Sequence, residues 1–256
     1  MAEFDEELAF ANELADRAGR IGIEVFGGDF EVRRKADLTP VTEADLRIEA
    51  MVRERLAERF PADAVLGEEQ GLQGPAGAAR TWIVDPIDGT KNFAAGIQIW
   101  GTLIALTVDG EAVLGVAGAP GLGERYEAVR RGGARLNGEP IRVSGVAELS
   151  EALLCSTGVH PFVRGPWERA YLALADQVYR TRGFGDFWGH MLVARGSADA
   201  MVEERLRVWD WAAVKVIVEE AGGTMTQIDG SPVADGGSVL TSNGALHAAL
   251  VDRFAG

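Results

Sequence analysis

Residues 82–92 read WIVDPIDGTKN and carry the strongest structural signal in the chain. The apolar run of residues 82–84 has the length of a strand and ends directly at Asp85. Pro86 should end that strand, because proline has no N–H to donate to a neighbouring strand. Asp88 follows three residues after Asp85, so the turn can aim both carboxylates at one point. This stretch therefore predicts a buried strand that delivers two acids to a common site.

The residues after the two aspartates suit an anion. Gly89 permits close approach of the backbone, and Thr90 can begin a helix whose first N–H groups bind phosphate readily. Two carboxylates this close repel each other unless a cation lies between them, and hard oxygen ligands select Mg²⁺, Mn²⁺ or Ca²⁺ rather than zinc. An isolated pattern of this kind is equally compatible with an Asx-turn and a helix cap, in which the aspartates only satisfy backbone donors.

Further acids stand at matching places along the chain. Glu68 and Glu69 follow another apolar run, residues 64–66, and Asp210 opens a helix predicted over residues 210–221. Asp210 alone is more typical of a helix N-cap than of a metal ligand. An acid at one strand end, an acid pair at another and an acid at a helix start together favour a metal site.

Composition narrows the class of protein. Of the 256 residues, 47% are hydrophobic and 25% are charged, which is typical of a globular chain. One cysteine, Cys155, excludes an intrachain disulfide, and we expect it in the core. Only three histidines accompany 39 acidic residues, so a metal ion would be held by oxygen. The formal net charge of −14 argues against a general nucleic-acid or anionic-membrane binder.

The pattern of apolar residues predicts two intimately packed α/β parts that meet near residue 145. Residues 1–145 would carry most of the metal ligands, and residues 146–256 the substrate contacts and Asp210. Helices are predicted over residues 3–26 and from Thr42, where Asp45 is a capping partner, and hairpins at Asp109–Gly110 and Asn137–Gly138. In the C-terminal part the pattern predicts strands at 153–156, 200–202 and 239–241. It also predicts helices at 166–179, 191–195, 210–221 and 243–254.

Targeting signals are not evident in the sequence. The first seven residues are acidic where a secretory leader would be basic. The longest run without a charged residue lies between Lys91 and Asp109 and falls short of the ~20 apolar residues that a membrane span needs. We therefore expect a cytoplasmic protein.

A second motif joins the first. Residues 209–214 read WDWAAV and are followed by EEAGG at 219–223. With residues 82–90, they resemble the two signatures of the inositol monophosphatase-like family of Mg²⁺-dependent phosphomonoesterases. Upstream elements fit as well, and the resemblance covers nearly the whole chain in the right order. These elements are KAD at 35–37, PVTEAD at 40–45 and GEE at 67–69.

The resemblance implies a fold and a mechanism. The fold is an αβαβα layered sandwich, and the reaction is in-line attack of water on a phosphate ester, assisted by two or three Mg²⁺ ions for which Mn²⁺ can substitute. Thr90, steered by Asp45, would orient the attacking water, and Glu68 would hold a third, weaker ion. The implied metal ligands are Glu68, Asp85, the Ile87 carbonyl, Asp88 and Asp210. The implied substrate-binding residues are Asp88, Gly89, Thr90, Asp186, Glu203 and Asp210. The family also implies a homodimer.

The substrate is indicated by residues 182–196, RGFGDFWGHMLVARG, which resemble the histidinol-phosphate phosphatases within the family. Asp186 would face the end of the substrate that carries no phosphate, and Glu203, seven residues before Asp210, matches a substrate-contacting acid. Two carboxylates would pair with the ammonium of histidinol phosphate and hydrogen-bond its imidazole. Each assignment has a structural alternative. Asp186 could cap the following helix, Phe187 and Trp188 could be core, His190 could be structural, and Arg182 could serve a dimer or hold Asp186.

We therefore expect a histidinol-phosphatase of histidine biosynthesis that hydrolyses L-histidinol phosphate. The nearest alternative is an inositol-1-monophosphatase or a broad sugar-phosphate phosphatase built on the same machinery. A remote alternative is a non-catalytic, metal-binding scaffold, which the presence of every implied metal acid and of Thr90 disfavours. A nucleotide or fructose-bisphosphate specialist is also disfavoured, because no additional basic cluster marks a site for a second phosphate.

Overall fold

Two helices open the chain in the computed structural model, which describes residues 3–28, 32–34, 40–162 and 164–255. Helix α1 spans Asp5–Val25 and helix α2 spans Glu43–Arg59, so both predicted helices are confirmed. Thr42 is the N-cap of α2 and forms a capping box with Asp45, as the sequence predicts. A small hairpin of β1, Val32–Arg34, and β2, Pro40–Thr42, precedes α2.

An eight-stranded sheet follows, in the order β10-β9-β8-β7-β6-β5-β3-β4. Within this sheet β3 and β5 pair in parallel, and all other neighbouring strands are antiparallel. Both predicted hairpins are confirmed, because β6 and β7 meet at Asp109–Gly110, and β9 and β10 meet at Asn137–Gly138. The strands are β3 (Ala64–Gly67), β4 (Gly71–Gln73), β5 (Arg80–Asp88), β6 (Gly101–Val108), β7 (Glu111–Ala119), β8 (Glu124–Val129), β9 (Gly133–Leu136) and β10 (Glu139–Ile141). Helix α3, Thr90–Ala94, directly follows β5.

The prediction that the first strand ends at Asp85 is wrong. Strand β5 continues through Pro86 to Asp88, with a register shift between Asp85 and Asp88 and renewed pairing of Asp88 with Gly101. At such an irregularity no ladder N–H is required of the proline, so the strand survives it. The Pro86 carbonyl in turn accepts a 2.8 Å hydrogen bond from the Thr102 hydroxyl.

A five-stranded sheet forms the C-terminal region, in the order β12-β11-β13-β15-β14. Its predicted strands and helices are confirmed with shifted ends, whereas β12 and β14 were not predicted. The strands are β11 (Leu153–Ser156), β12 (Arg180–Arg182), β13 (Ala200–Leu206), β14 (Thr224–Gln227) and β15 (Gly237–Ser242). The helices are α4 (Val159–Phe162), α5 (Glu168–Gln177), α6 (Asp186–Ala194), α7 (Val208–Glu220) and α8 (His247–Ala255).

The elements stack in five layers. Helices α1 and α2 cover one face of the eight-stranded sheet, α6 and α7 fill the space between the two sheets, and α5 and α8 lie outside the five-stranded sheet. The contact between α7 and β7 is so close that a Cβ on Gly115 would lie 2.3 Å from the Ala213 carbonyl oxygen. This arrangement confirms the predicted αβαβα sandwich.

The two sheets divide the chain on either side of residue 145, but the layers do not. Helix α7 comes from the C-terminal region and packs on β7 and β6 of the first sheet. The boundary at residue 145 therefore stays an interpretation. Cys155 is buried in the core, where burial raises the pKa of its thiol to about 12. In the part of the chain described, we find no helix with both the length and the apolar composition to cross a bilayer.

Candidate active site

Three aspartates meet where β5 ends and α7 begins. Asp85, Asp88 and Asp210 each offer a carboxylate oxygen, and these oxygens all lie within 4.8 Å of one another. Asp85 and Asp88 bracket the register shift of β5, and Asp210 is the third residue of α7. The sequence predicted these acids as partners, and the fold brings them together from positions far apart in the chain.

Asp85 is the most deeply buried acid of this cluster. The side chain is 2% exposed, and its Oδ1 has no hydrogen-bond partner among the described residues. Burial raises the pKa of Asp85 well above its usual value, and the neighbouring charges of Glu68, Asp88 and Asp210 raise it further. An unpartnered buried carboxylate oxygen among other acids fits a divalent cation, which would neutralise the repulsion and accept the free oxygen as a ligand.

Asp88 and Asp210 are each held by one backbone donor. The Phe187 N–H donates to Asp88 Oδ2 at 2.6 Å, and the Arg207 N–H donates to Asp210 Oδ2 at 2.7 Å. The interpretation of Asp210 as the N-cap is wrong, because Arg207 occupies that position and Asp210, the third residue of the helix, accepts the Arg207 N–H in a capping box. A carboxylate has about four acceptor positions, so one hydrogen bond leaves each group able to bind a cation as well.

The turn after Asp88 is tight and has no room for a side chain at its glycine. Gly89 has φ +81°, and a Cβ there would lie 3.0 Å from the Ile99 carbonyl oxygen. Thr90 begins α3 and donates from Oγ1 to the Ile87 carbonyl at 2.9 Å. The predicted phosphate contacts of Gly89 and Thr90 and the predicted metal contact of Ile87 stay predictions.

Asp45 lies completely buried at the start of α2. Its Oδ2 accepts hydrogen bonds from the Thr42 N–H at 2.7 Å and from the Thr42 hydroxyl at 2.5 Å, and its Oδ1 has no partner among the described residues. Burial raises the pKa of Asp45 to about 6, and the charge of Glu68 adds to the rise. Because the recorded hydrogen bonds of Asp45 go to Thr42, the steering of Thr90 by Asp45 stays a prediction.

An acidic cavity of about 100 Å³ opens beside the three aspartates. Five of its nine lining residues are acids, and Arg205 is the one strong base among them. It therefore suits a cationic group close to the three aspartates. Its lining consists of Asp88, Asp186, Phe187, His190, Glu203, Glu204, Arg205, Leu206 and Asp210.

Asp186 is the first residue of α6 and lines this cavity. The interpretation of Asp186 as the N-cap is wrong, because Gly185 occupies that position and no side chain caps the helix. Instead, Asp186 Oδ2 accepts a 3.1 Å hydrogen bond from Asn92 Nδ2, and the residue has φ +54°. Burial raises the pKa of Asp186 to about 7, with a further rise from Glu203. Nothing in the sequence pattern marked Asn92 as its partner.

Glu203 is 7% exposed and accepts three hydrogen bonds from the protein. The Thr157 hydroxyl and the Asp186 N–H reach Oε1 at 2.8 Å and 3.2 Å, and His190 Nε2 lies 3.1 Å from Oε2. His190 is completely buried, and its other ring nitrogen lies 2.8 Å from the Thr241 hydroxyl. His190 is therefore a structural histidine that also fixes Glu203.

The remaining residues of the substrate motif have structural contacts. Phe187 is core, and Trp188 is half-buried with its indole N–H donating to Glu124 Oε2 at 3.1 Å. Arg182 donates to a neighbouring backbone carbonyl, and the described contacts of Asp186 do not include it. The upstream element at residues 35–37 lies outside the described residues.

Known proteins resemble this chain in sequence and in fold. The model of the inositol monophosphatase family matches residues 3–255. A histidinol-phosphatase of Mycobacterium tuberculosis is 42% identical over 97% of this chain and 98% of its own length. An inositol-1-monophosphatase of Caulobacter vibrioides is 36% identical over 94% and 98% of the two chains. The solved structure of the extragenic suppressor protein SuhB from Bartonella henselae superposes with a TM-score of 0.92 at 28% identity, covering 98% of each chain.

Proposed function

Because the chain belongs to the inositol monophosphatase family and is 42% identical to a protein named as a histidinol-phosphatase, we propose that it hydrolyses L-histidinol phosphate to L-histidinol and inorganic phosphate. The observation that carries the proposal is the position of the acidic cavity. Asp186 and Glu203 line it beside Asp88 and Asp210, so a cationic leaving group and a metal-bound phosphate can be held by adjoining acids.

We propose Mg²⁺ as the working ion, with Mn²⁺ as a substitute, held by Glu68, Asp85, Asp88, Asp210 and the Ile87 carbonyl. When bound, such ions activate a water molecule for attack and neutralise charge on the phosphate. The carboxylate-rich site supports this choice, because hard oxygen ligands favour Mg²⁺ and Mn²⁺ over zinc.

The chain's own residues would orient the reacting groups. The Thr90 hydroxyl donates to the Ile87 carbonyl, which leaves the lone pairs of Oγ1 free to accept a hydrogen bond from the attacking water. Asp45 Oδ1, which has no partner among the described residues, would accept a hydrogen bond from the Thr90 hydroxyl if that hydroxyl turned away from Ile87. The amide N–H groups of Gly89 and Thr90 would bind the phosphate oxygens.

The two acids of the cavity would share the recognition of histidinol. Three protein donors occupy Glu203, so about one of its four acceptor positions remains. Asp186 receives one side-chain donor, from Asn92, and keeps more capacity for the substrate ammonium. We assign Asp186 to the ammonium, whereas Glu203 adds negative charge and one hydrogen bond to the ring or hydroxyl.

The alternative substrate is inositol 1-phosphate, which the relative from Caulobacter vibrioides supports. A polyol offers no positive charge, so its recognition would depend on neutral hydrogen bonds rather than on the acids of the cavity. A homodimer, which the family resemblance suggests, and a cytoplasmic location also remain proposals.

A phosphate-release panel tests the proposal. It compares histidinol phosphate, inositol 1-phosphate, fructose 1,6-bisphosphate and 3′-phosphoadenosine 5′-phosphate at one saturating concentration of Mg²⁺. We expect the highest kcat/KM for histidinol phosphate. A higher kcat/KM for inositol 1-phosphate would favour the inositol-1-monophosphatase alternative. If no substrate released phosphate, the result would support a non-catalytic, metal-binding protein.

A further inference from the structure

Glu49 is a completely buried acid on α2 that the sequence analysis did not single out. Its carboxylate faces the turn that joins β3 to β4. Oε2 accepts the N–H of Glu69 at 2.8 Å, and Oε1 accepts the N–H of Gln70 at 3.0 Å. One carboxylate therefore satisfies two consecutive backbone donors, directly after the position of Glu68.

Arg53, one helical turn further along α2, completes this arrangement. Its Nε donates to Glu49 Oε1 at 2.8 Å, and its two terminal nitrogens donate to the carbonyls of Val65 and Gly71. The pair thus binds both strands that flank the turn. A buried ion pair gives little net stability because desolvation offsets its attraction, so the main effect of this pair is the geometry that it imposes on the turn.

Gly67 makes room for the Glu49 carboxylate. A Cβ at Gly67 would lie 2.4 Å from both the carboxyl carbon and Oε1 of Glu49, which is far inside van der Waals contact. The backbone of Gly67 is not in the left-handed region, so conformational freedom does not explain the glycine. The requirement is steric, because only a residue without a side chain lets the carboxylate reach the turn amides.

The residue between these contacts is Glu68, an expected metal ligand. Its own N–H donates to the Val84 carbonyl at 3.2 Å, so its backbone is joined to β5 immediately before Asp85. The Glu68 charge acts on Asp85, Asp45 and Asp210, which places it in the field of the aspartate cluster. Glu68 is therefore fixed on one side by β5 and on the other by Glu49.

We infer that Glu49 is a positioning residue that holds Glu68 at the aspartate cluster and so sets the affinity of the site for its divalent ion. The inference rests on the proposed metal-dependent function. Outer hydrogen-bond partners of metal ligands typically contribute 10–100-fold in affinity, and Glu49 acts in the same way through the backbone of the turn. Removing one carboxylate oxygen of Glu49 would leave the N–H of Glu69 or Gln70 without its acceptor. The turn could then shift and move the Glu68 carboxylate away from the aspartate cluster.

The test measures metal binding without substrate. Mn²⁺ is titrated into dialysed protein, and free Mn²⁺ is counted by its EPR signal for wild type, Glu49→Gln and Asp63→Asn. Asp63 is a matched control, because it is a half-buried acid with a 7% exposed side chain that accepts from Arg80 and Trp82 at the opposite end of β3. We expect Glu49→Gln to weaken Mn²⁺ binding about 10–100-fold and Asp63→Asn to leave it within about threefold.

Two results would overturn the inference. One is a folded Glu49→Gln variant that binds Mn²⁺ as tightly as wild type. The other is an equal loss of Mn²⁺ affinity in Glu49→Gln and Asp63→Asn, which would show that removing either acid near β3 weakens binding. If Glu49→Gln does not fold, Gly67→Ala decides, because its methyl group displaces the carboxylate from the turn without removing it. Weakened binding in that variant supports the positioning role, and wild-type binding contradicts it.

These outcomes are separate from those of the substrate panel. A wild-type protein that binds Mn²⁺ but releases phosphate from no substrate would end the proposed function and leave the role of Glu49 intact. Conversely, an active wild type with an unaffected Glu49→Gln variant would end only the inference on Glu49. As a second readout, activity of Glu49→Gln should recover at saturating Mg²⁺, which a damaged fold would not allow.

Discussion

The backbone N–H of Phe187 donates a 2.6 Å hydrogen bond to Asp88 Oδ2, across 99 residues of sequence. Asp88 ends β5 and belongs to the aspartate cluster, and Phe187 is the second residue of α6. The helix that presents Asp186 is therefore oriented by a carboxylate of the cluster itself. The aspartate cluster and the acidic cavity are therefore joined by one hydrogen bond.

We expect Asp88→Asn to lower kcat/KM by at least ~100-fold, because a cation site loses one charge. The asparagine oxygen can still accept from Phe187, so α6 should keep its position. In chelator the variant should melt no lower than wild type, since one repelling charge is gone. Phosphate release and thermal melts measure the two effects, and a gross loss of stability in chelator would instead show a structural role for Asp88.

Removal of the metal should abolish activity. After dialysis against EDTA, we expect no release of phosphate from histidinol phosphate, and full recovery on addition of Mg²⁺ or Mn²⁺. Ca²⁺ should not restore activity, because its larger and looser coordination sphere does not reproduce the octahedral geometry of Mg²⁺. Full turnover in excess chelator would contradict a metal-dependent mechanism.

Stability of the metal-free protein should depend on pH in a specified direction. The pKa of Asp210 is raised from 3.8 to about 7, chiefly by burial. The folded state therefore binds more protons than the unfolded state between these values. The stability contributed by this group is complete below about pH 4 and is lost as pH rises through about 7. We expect Tm in chelator to fall over this window and Mg²⁺ to raise Tm most at the alkaline end.

Two variants separate this effect from the net negative charge of the protein. Asp210→Asn should flatten the pH dependence of Tm in chelator, whereas Asp252→Asn, on the exposed face of α8, removes the same charge away from the cluster and should preserve it. Equal slopes in wild type and Asp210→Asn would show that the general charge, rather than the cluster, sets the dependence.

Substrate preference should depend on Asp186. We expect Asp186→Asn to lower kcat/KM for histidinol phosphate by about tenfold to 100-fold, the loss expected for one charge-assisted hydrogen bond. Hydrolysis of para-nitrophenyl phosphate, which has no ammonium, should change little. Equal falls for the two substrates would place Asp186 in support of the fold or the metal, and no fall for either would favour the inositol-type alternative.

Glu203 should behave differently from Asp186. It accepts from Thr157, His190 and the Asp186 N–H, so Glu203→Ala would leave the completely buried His190 without this partner, at a cost of about 1–3 kcal/mol, and would remove two further hydrogen bonds. We expect Glu203→Ala to lower Tm as well as activity, and Glu203→Gln to retain most of the stability. Thermal melts alongside the two-substrate assay distinguish these effects, and an unchanged Tm in Glu203→Ala would contradict the bonding described for this acid.

Local patterns in the sequence were sufficient for much of the fold and for the identity of the acids. Asp–Gly and Asn–Gly turns specify their hairpins over a few residues, and the spacing of Asp85 and Asp88 follows from one strand and one turn. The passage of β5 through Pro86 could not be predicted, because it depends on the register of the partner strand β6.

Contacts between distant segments were beyond the reach of sequence patterns. The bond from Phe187 to Asp88 and the bond from Asn92 to Asp186 each join residues more than 90 positions apart. Glu49 lies in a helical stretch where an acid normally faces solvent, and only the packing of α2 against the turn after β3 reveals its role. Such roles are set by tertiary geometry rather than by spacing.

The middle layer of the sandwich has a consequence for dissecting the protein. Asp210 lies on α7, which packs on a sheet formed wholly from residues 64–141, while Asp85 and Asp88 belong to that sheet. A cut in the connection near residue 145 would separate the third aspartate from the other two and expose the apolar surfaces between α7 and β7. The two pieces would therefore regain ion binding only by fragment complementation. The affinity for a divalent ion would then measure how completely the two pieces reassemble.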